Sequence, residues 1–370
     1  DVNFGFKNYP PELGAAKNND PLHRRGDTGP TLCMAKPESA EIVDSINHFL
    51  FSHLADSGID MLIAWPYDEG GCGCPDCAPW GGNGYIQSTK RAVFIAKQYF
   101  PDVEICVSTW MFDTPYEGEW EALYESLRKE RWCDYILADS HEHFPSYPLE
   151  NPLPYGVQLI NFPEISMWGL FPWGGWGATM LPERFTVLYR ETKGVLMGGF
   201  LYSEGIYEDI NVAVVTALYW NGLCDWRDTL MQYAGYELGL NDISDFLRLV
   251  NLVEQTHTDV AARGVCDIQM VHEAYALAQV IDAKLPGWAK HSWRWRIIYL
   301  RTLLDYRRYS LRSEEIKVGN EHGFKGTNWE KLLENDEEAQ KAFREIIRIF
   351  HCRELNPDDK LHARVRPATK

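Results

Sequence analysis

Short apolar runs alternate with amphipathic helical stretches over residues 1–222, and beyond that point only the helical periodicity continues. The strand candidates are Phe4–Lys7, Thr31–Met34, Met61–Trp65, Glu104–Thr109, Tyr135–Ala138, Val157–Ile160 and Val195–Leu201. Between them Ala40–Asp56, Ile86–Tyr99, Glu119–Glu130 and Pro182–Thr192 carry apolar residues at helical spacing. Strands and helices taken in turn build βαβ units and hence a parallel sheet. The runs are apolar on both faces, as strands are when helices cover the sheet. The expected fold is α/β, a (β/α)8-type (TIM) barrel. Such a barrel needs eight strands, and about seven candidates are present, the first two weak. The first strand–helix unit is therefore expected to be missing or truncated. A doubly wound open sheet is the alternative, but no glycine-rich phosphate loop follows the early strands.

From Asn221 onward Asp242–Thr256, Asp267–Leu285, Ser292–Tyr309 and Asp336–Phe350 read as helices, with Asp242 and Ser244 as caps. The division drawn from this pattern is a β/α-barrel catalytic domain over 1–222 and an α-helical C-terminal domain over 223–370. A formal charge of −17 argues against nucleic acid or an anionic membrane as partner. No run is long and apolar enough for a transmembrane helix. Nine unevenly spaced cysteines fit a reducing compartment better than a disulfide framework, so a cytoplasmic location is expected. The chain begins at Asp1 without methionine and shows no signal peptide, so an upstream piece is expected to be absent.

The most informative stretch is IAWPYDEGGCGCPDCAPW, Ile63–Trp80. An apolar run ends in two adjacent carboxylates, Asp68 and Glu69, and the carboxyl ends of strands are where a β/α barrel places its chemistry. Glu69 can protonate a leaving glycosidic oxygen. Asp68 can hold a substrate group or raise the pKa of that acid by like-charge proximity. The plainer reading is that both cap the following loop through backbone N–H groups. Glycines at 70, 71 and 73 let the chain turn sharply there. Two more glutamates follow strands beside aromatics, Glu164 in LINFPEISMWG and Glu204 in GGFLYSEGIYEDIN. Either is a candidate for the second carboxyl of a glycosidase, which lies about 5 Å from the acid in retaining enzymes and about 6.5–9.5 Å in inverting ones. Glu208 and Asp209 read as the acidic start of a helix.

Aromatic residues cluster at the same strand ends. Trp65, Tyr67, Trp80, Trp110, Trp168 and Trp173 are candidate sugar-stacking surfaces, although about half of such tryptophans should be core. Asn161 and Tyr202 lie at strand ends as hydroxyl partners. Asp139, His141 and His143, the DSHEH segment, fall on one side of an extended chain and suit a sugar hydroxyl or a substrate carboxylate. A catalytic metal held by these three is a rival reading, on a weak signature. Cys72, Cys74 and Cys77 form C-x-C-x-x-C, and Cys33 follows the preceding strand. Four thiolates would suit a structural zinc that braces the loop bearing Asp68 and Glu69, with Cys106 and Cys133 as other candidates for the fourth ligand.

These residues resemble the glycoside hydrolases of the large β/α-barrel superfamily. The run Trp65–Cys77 looks like the zinc-carrying bacterial β-galactosidases, in which an Asn-Glu pair ends the fourth strand and a CxCxxC cluster follows. The resemblance implies Glu69 as acid/base and Cys33 as the fourth thiolate. Asp68 stands where those enzymes have asparagine, and the Asp-Glu pair is similar instead to the β-N-acetylhexosaminidases. There the glutamate is the acid and the aspartate orients the acetamido group that attacks the anomeric carbon. A helical domain after the barrel also resembles α-glucuronidases and endo-acting N-acetylglucosaminidases. The implied activity is hydrolysis of an oligosaccharide or glycoside, β-N-acetylhexosaminidase-like, with no cofactor in the chemistry. A galactosidase- or glucuronidase-like exo-glycosidase and a non-catalytic carbohydrate-binding barrel are the alternatives.

Overall fold

The computed structural model describes residues 10–16, 32–67, 71–141, 143–165, 178–203, 208–263, 266–310 and 328–351. It is a mixed α/β protein with one five-stranded sheet, and helices make up most of its ordered structure. The strands are β1 (Met61–Ala64), β2 (Glu104–Ser108), β3 (Tyr135–Ser140), β4 (Gln158–Pro163) and β5 (Gly198–Gly199). They lie side by side in chain order. The register pairs Ile63 with Cys106 and Cys106 with Tyr135 in parallel, and Ile160 with Gly198 likewise. A doubly wound sheet reverses its strand order at a switch point. No reversal occurs among the described strands, which removes the reason for preferring that alternative.

The helices between the strands form for local reasons. In Glu119–Lys129, Glu119 and Glu121 stand in the first turn and Arg128 and Lys129 in the last, each sign matched to the helix dipole. Trp120, Leu123, Tyr124 and Leu127 repeat at helical spacing and are all buried. Pro37–Leu54 and Pro182–Thr192 each begin with proline, whose missing N–H costs nothing in a first turn.

Two expected strands differ from the structure. Thr31–Met34 reduces to a single antiparallel bridge between Leu32 and Gly14, with Thr31 outside the described residues. The helix begins at Pro37, and Cys33 is turned into a thiol cluster, so no extended ladder can run there. The run Val195–Leu201 contributes only Gly198–Gly199 as a strand, because two glycines offer no side chains to pack on either face. The candidate Phe4–Lys7 lies outside the described residues.

Two compact units emerge from the packing. The first comprises 1–162 with 194–200 and carries most of the sheet; the second comprises 163–193 with 201–370 and is helical. The sequence boundary at 222/223 falls inside the second unit. That unit has a core of Ile297, Leu300, Leu304, Phe343, Ile346 and Ile347. No helix among the described residues is long and apolar enough to cross a membrane.

One buried carboxylate in the second unit has a measurable consequence. Glu254 accepts hydrogen bonds from the backbone N–H groups of Glu183 at 3.0 Å and Arg184 at 2.8 Å, in the first turn of the helix Pro182–Thr192. Burial pushes its carboxyl up from 4.5 to about 7. A pKa raised on folding favours the native state below the unfolded value, and that contribution is lost as pH rises through the folded value. Wild-type stability should therefore fall between about pH 4.5 and pH 7 more steeply than that of Glu254→Gln. Urea denaturation across that range measures the difference, and parallel curves would contradict it.

Candidate active site at the strand ends

The carboxyl ends of β1, β2 and β3 bring together Trp65, Trp110 and His141 from among the residues that the sequence marks for chemistry. Trp65 packs against Trp110 at 6.1 Å between ring centroids and edge-on against Phe162 at 5.0 Å. Trp110 meets His141 edge-on at 5.7 Å, and Phe162 stacks on Phe200 at 6.2 Å. These contacts arise because parallel strands end at the same edge, so residues following β1, β2 and β3 become neighbours across the ladder. Below them Cys106 and Leu137 are buried with Met61, Tyr135 and Ile160 packed around them. Trp65 is half-buried, and its Nε1 has no hydrogen-bond partner among the described residues.

The other predicted contacts separate by position. Asp139 and His141 are half-buried and His143 is exposed. They do not form a metal-binding group; among the described residues only the four cysteines do. Asn161 is fully buried and accepts a hydrogen bond from Ser140 Oγ at 2.7 Å. In the second unit Glu164 is fully buried and pairs with Tyr202 through a parallel bridge, Tyr202 being 37% exposed. Asp68, Glu69, Trp168, Trp173 and Glu204 lie outside the described residues.

The chain on either side of Asp68–Gly70 is held from below. Tyr67 is completely buried, and its hydroxyl donates to Glu119 Oε1. The ring therefore packs inside, where a sugar face had been expected. The same Oε1 accepts from Gly81 N–H at 2.6 Å, and Oε2 accepts from Asp113 N–H at 3.1 Å. Asp113 Oδ1 in turn accepts from Glu119 N–H at 2.7 Å. Burial pushes the Glu119 carboxyl up to about 7, and together with the carboxylate charge it raises Tyr67 well above the ordinary phenol value. Trp80 is 8% exposed, and its indole N–H donates to the Pro66 carbonyl. A Cβ on Gly71, which has φ +65°, would stand 2.3 Å from the Trp80 ring, so that close approach needs glycine. Trp80 is thus a packing wedge against Pro66 and Gly71. Sequence reasoning did not find Glu119. Its position before an apolar helical run signals a helix start and nothing more.

Beside this brace the thiols of Cys33, Cys72, Cys74 and Cys77 converge, all sulfurs within 4.8 Å of one another. Cys33 Sγ lies 3.7 Å from Cys74 Sγ and 4.0 Å from Cys77 Sγ. A tetrahedral zinc with bonds of about 2.3 Å sets its sulfurs about 3.8 Å apart. The cluster therefore fits such an ion, and the distances are too long for disulfides. Hydrogen bonding from Cys77, opposed by burial, lowers Cys72 to about 4, while burial raises Cys33 to about 11. A divalent ion would supply the charge that lets the others ionise. The alternatives Cys106 and Cys133 are buried elsewhere, apart from the cluster.

No family model and no curated protein matches the chain. Among solved structures it is similar to CpGH89 from Clostridium perfringens, determined with two Glu-to-Gln substitutions in complex with its substrate GlcNAc-alpha-1,4-galactose. The TM-score is 0.55 at 13% identity, covering 88% of this chain and 37% of that one. The likeness is one of fold, and the chain spans little more than a third of that structure's length.

Proposed function

We propose that this chain is a glycoside hydrolase built on a β/α barrel, with the Asp68–Glu69 pair as its catalytic centre. The observation that carries the reading is the half-buried Trp65 at the carboxyl end of the sheet, backed by the buried rings of Trp110 and Phe162. Asp68 and Glu69 follow β1 and Trp65 directly in the sequence. Sequential parallel strands are those of a barrel arc, and the likeness in fold to a glycosidase supports the same architecture. Indole rings pack on the C–H faces of sugars, and Trp65 is the half-buried ring of this group.

In this reading Glu69 protonates the leaving oxygen, and Asp68 orients the substrate's 2-acetamido group so that its carbonyl oxygen attacks the anomeric carbon. Glu164 and Glu204 are the candidates for a protein nucleophile or for hydroxyl contacts, and the deep burial of Glu164 favours a supporting part for it. Asp139, His141 and His143 would contact the sugar, and Trp110 and Asn161, both buried, would act through neighbours; Tyr202, Trp168 and Trp173 remain candidate contacts. The four cysteines would hold a structural zinc whose contribution is to fix the loop, with no part in the reaction. The substrate class is an N-acetylhexosaminide. The Asp-Glu pair favours the β anomer, and the neighbouring structure's substrate has an α linkage.

The test is a panel of α- and β-linked glycosides, N-acetylated and not, on wild type and Asp68→Asn. The variant should lose roughly 10²-fold or more on N-acetylhexosaminides and little on other sugars. An equal loss on both classes would remove the acetamido role.

A further inference from the structure

Glu119 does more than begin a helix. An acidic first-turn residue ordinarily sits in solvent and interacts with the dipole alone. This one is fully buried, and no ion pair is made to it among the described residues. Its two oxygens collect three donors from three separate loops: the Tyr67 hydroxyl after β1, the Gly81 N–H after the cysteine cluster, and the Asp113 N–H after β2. Gly81 is held to that approach, since a Cβ there would stand 2.5 Å from Phe112 and 2.8 Å from Glu119 Oε1. On the third loop Met111 and Asp113 have φ of 62° and 58°, a conformation that non-glycine residues adopt only when their surroundings impose it. The reciprocal bonds between Asp113 and Glu119 supply that constraint.

The covalent neighbours of these anchors give the arrangement its meaning. Tyr67 immediately precedes Asp68, and Met111 immediately follows Trp110. We propose that Glu119 is a positioning residue for the reaction: through Tyr67 it fixes the residue that immediately precedes Asp68, and through Asp113 it fixes the turn that follows Trp110. This rests on the glycosidase reading above. A misplacement of about 1 Å far from the reacting atoms can cost about 10²-fold in rate, so a buried clamp next to the catalytic pair has a large lever.

The test uses the full chain with Tyr67→Phe, which removes one hydroxyl and leaves the ring, and Glu119→Gln as a second variant should the first fail to fold. Turnover of a glycoside with a sugar leaving group should fall roughly 10- to 100-fold, with KM within about twofold of wild type. The loss should be smaller with nitrophenyl as leaving group, because a good leaving group needs less help from a well-aimed acid. Amide hydrogen exchange over residues 67–71 should accelerate. A residue that only stabilises the fold would lower the melting temperature and leave the leaving-group dependence unchanged. Wild-type turnover with both leaving groups and unchanged exchange would overturn the proposal. Should the wild type hydrolyse no glycoside at all, the glycosidase reading fails by itself, and exchange alone then decides the clamp: acceleration supports it and unchanged protection overturns it.

Discussion

Replacing Cys72 or Cys77 by Ser should strip the purified protein of a bound zinc and lower its melting temperature by about 10 °C or more. The size of the effect follows from the chemistry of the cluster. Cys33, Cys72 and Cys77 are buried, and all four sulfurs lie within 4.8 Å of one another. Structural zinc is worth about 10–16 kcal/mol in small peptide sites. Even a quarter of that is a large share of a stability of about 5–15 kcal/mol. Elemental analysis should find about one zinc per wild-type chain and little in either variant. A strong chelator should reproduce the melting shift. Turnover by the fraction that stays folded should be reduced but not abolished, since in the proposed reading the ion supports the loop and takes no part in the reaction. Metal-free wild-type protein with the same melting temperature before and after chelation would contradict the assignment.

Glu69→Gln should reduce turnover by roughly 10²- to 10⁴-fold while leaving sugar affinity close to wild type, because general acid catalysis contributes about that much. The amide keeps the size of the side chain and removes only the transferable proton. The effect should depend on the leaving group. Nitrophenolate leaves well without protonation, so nitrophenyl glycosides should show the lower end of the range and disaccharides the upper end. The affinity of the variant, measured by calorimetry, separates loss of chemistry from loss of the site. Full activity with both leaving groups would refute the role of Glu69. Affinity for a glycan in the wild type without release of reducing sugar would favour a non-catalytic carbohydrate-binding barrel.

Much of this architecture is legible from periodicity. The helix Pro182–Thr192 was readable to the residue, and β1 to within one, because an apolar or amphipathic run bounded by proline, glycine or charge has few other ways to fold. The cysteine spacing likewise marked a four-thiol group, and its predicted fourth member, Cys33, is the one that the fold brings in. Other features depend on contacts that spacing does not encode. Trp65 and Tyr67 share a parity that would aim both the same way along an extended strand. The chain bends at Pro66 and Tyr67, and the tyrosine turns inward to Glu119. Glu119 was invisible for the converse reason: a glutamate opening a helix is so common that nothing in its local sequence distinguishes a buried hub from a solvated cap. Thr31–Met34 read as a strand, whereas Leu32 makes one bridge to Gly14, Cys33 joins the thiol cluster and a helix begins at Pro37.

The account stands or falls on hydrolysis of N-acetylhexosaminides by the wild-type chain, followed as reducing sugar released from α- and β-linked disaccharides alongside Glu69→Gln. Release by the wild type from at least one linkage, suppressed at least 10²-fold in the variant at unchanged melting temperature, is the predicted result. Absence of release from every glycoside by zinc-replete, folded wild-type protein, or equal release by both proteins, would contradict it.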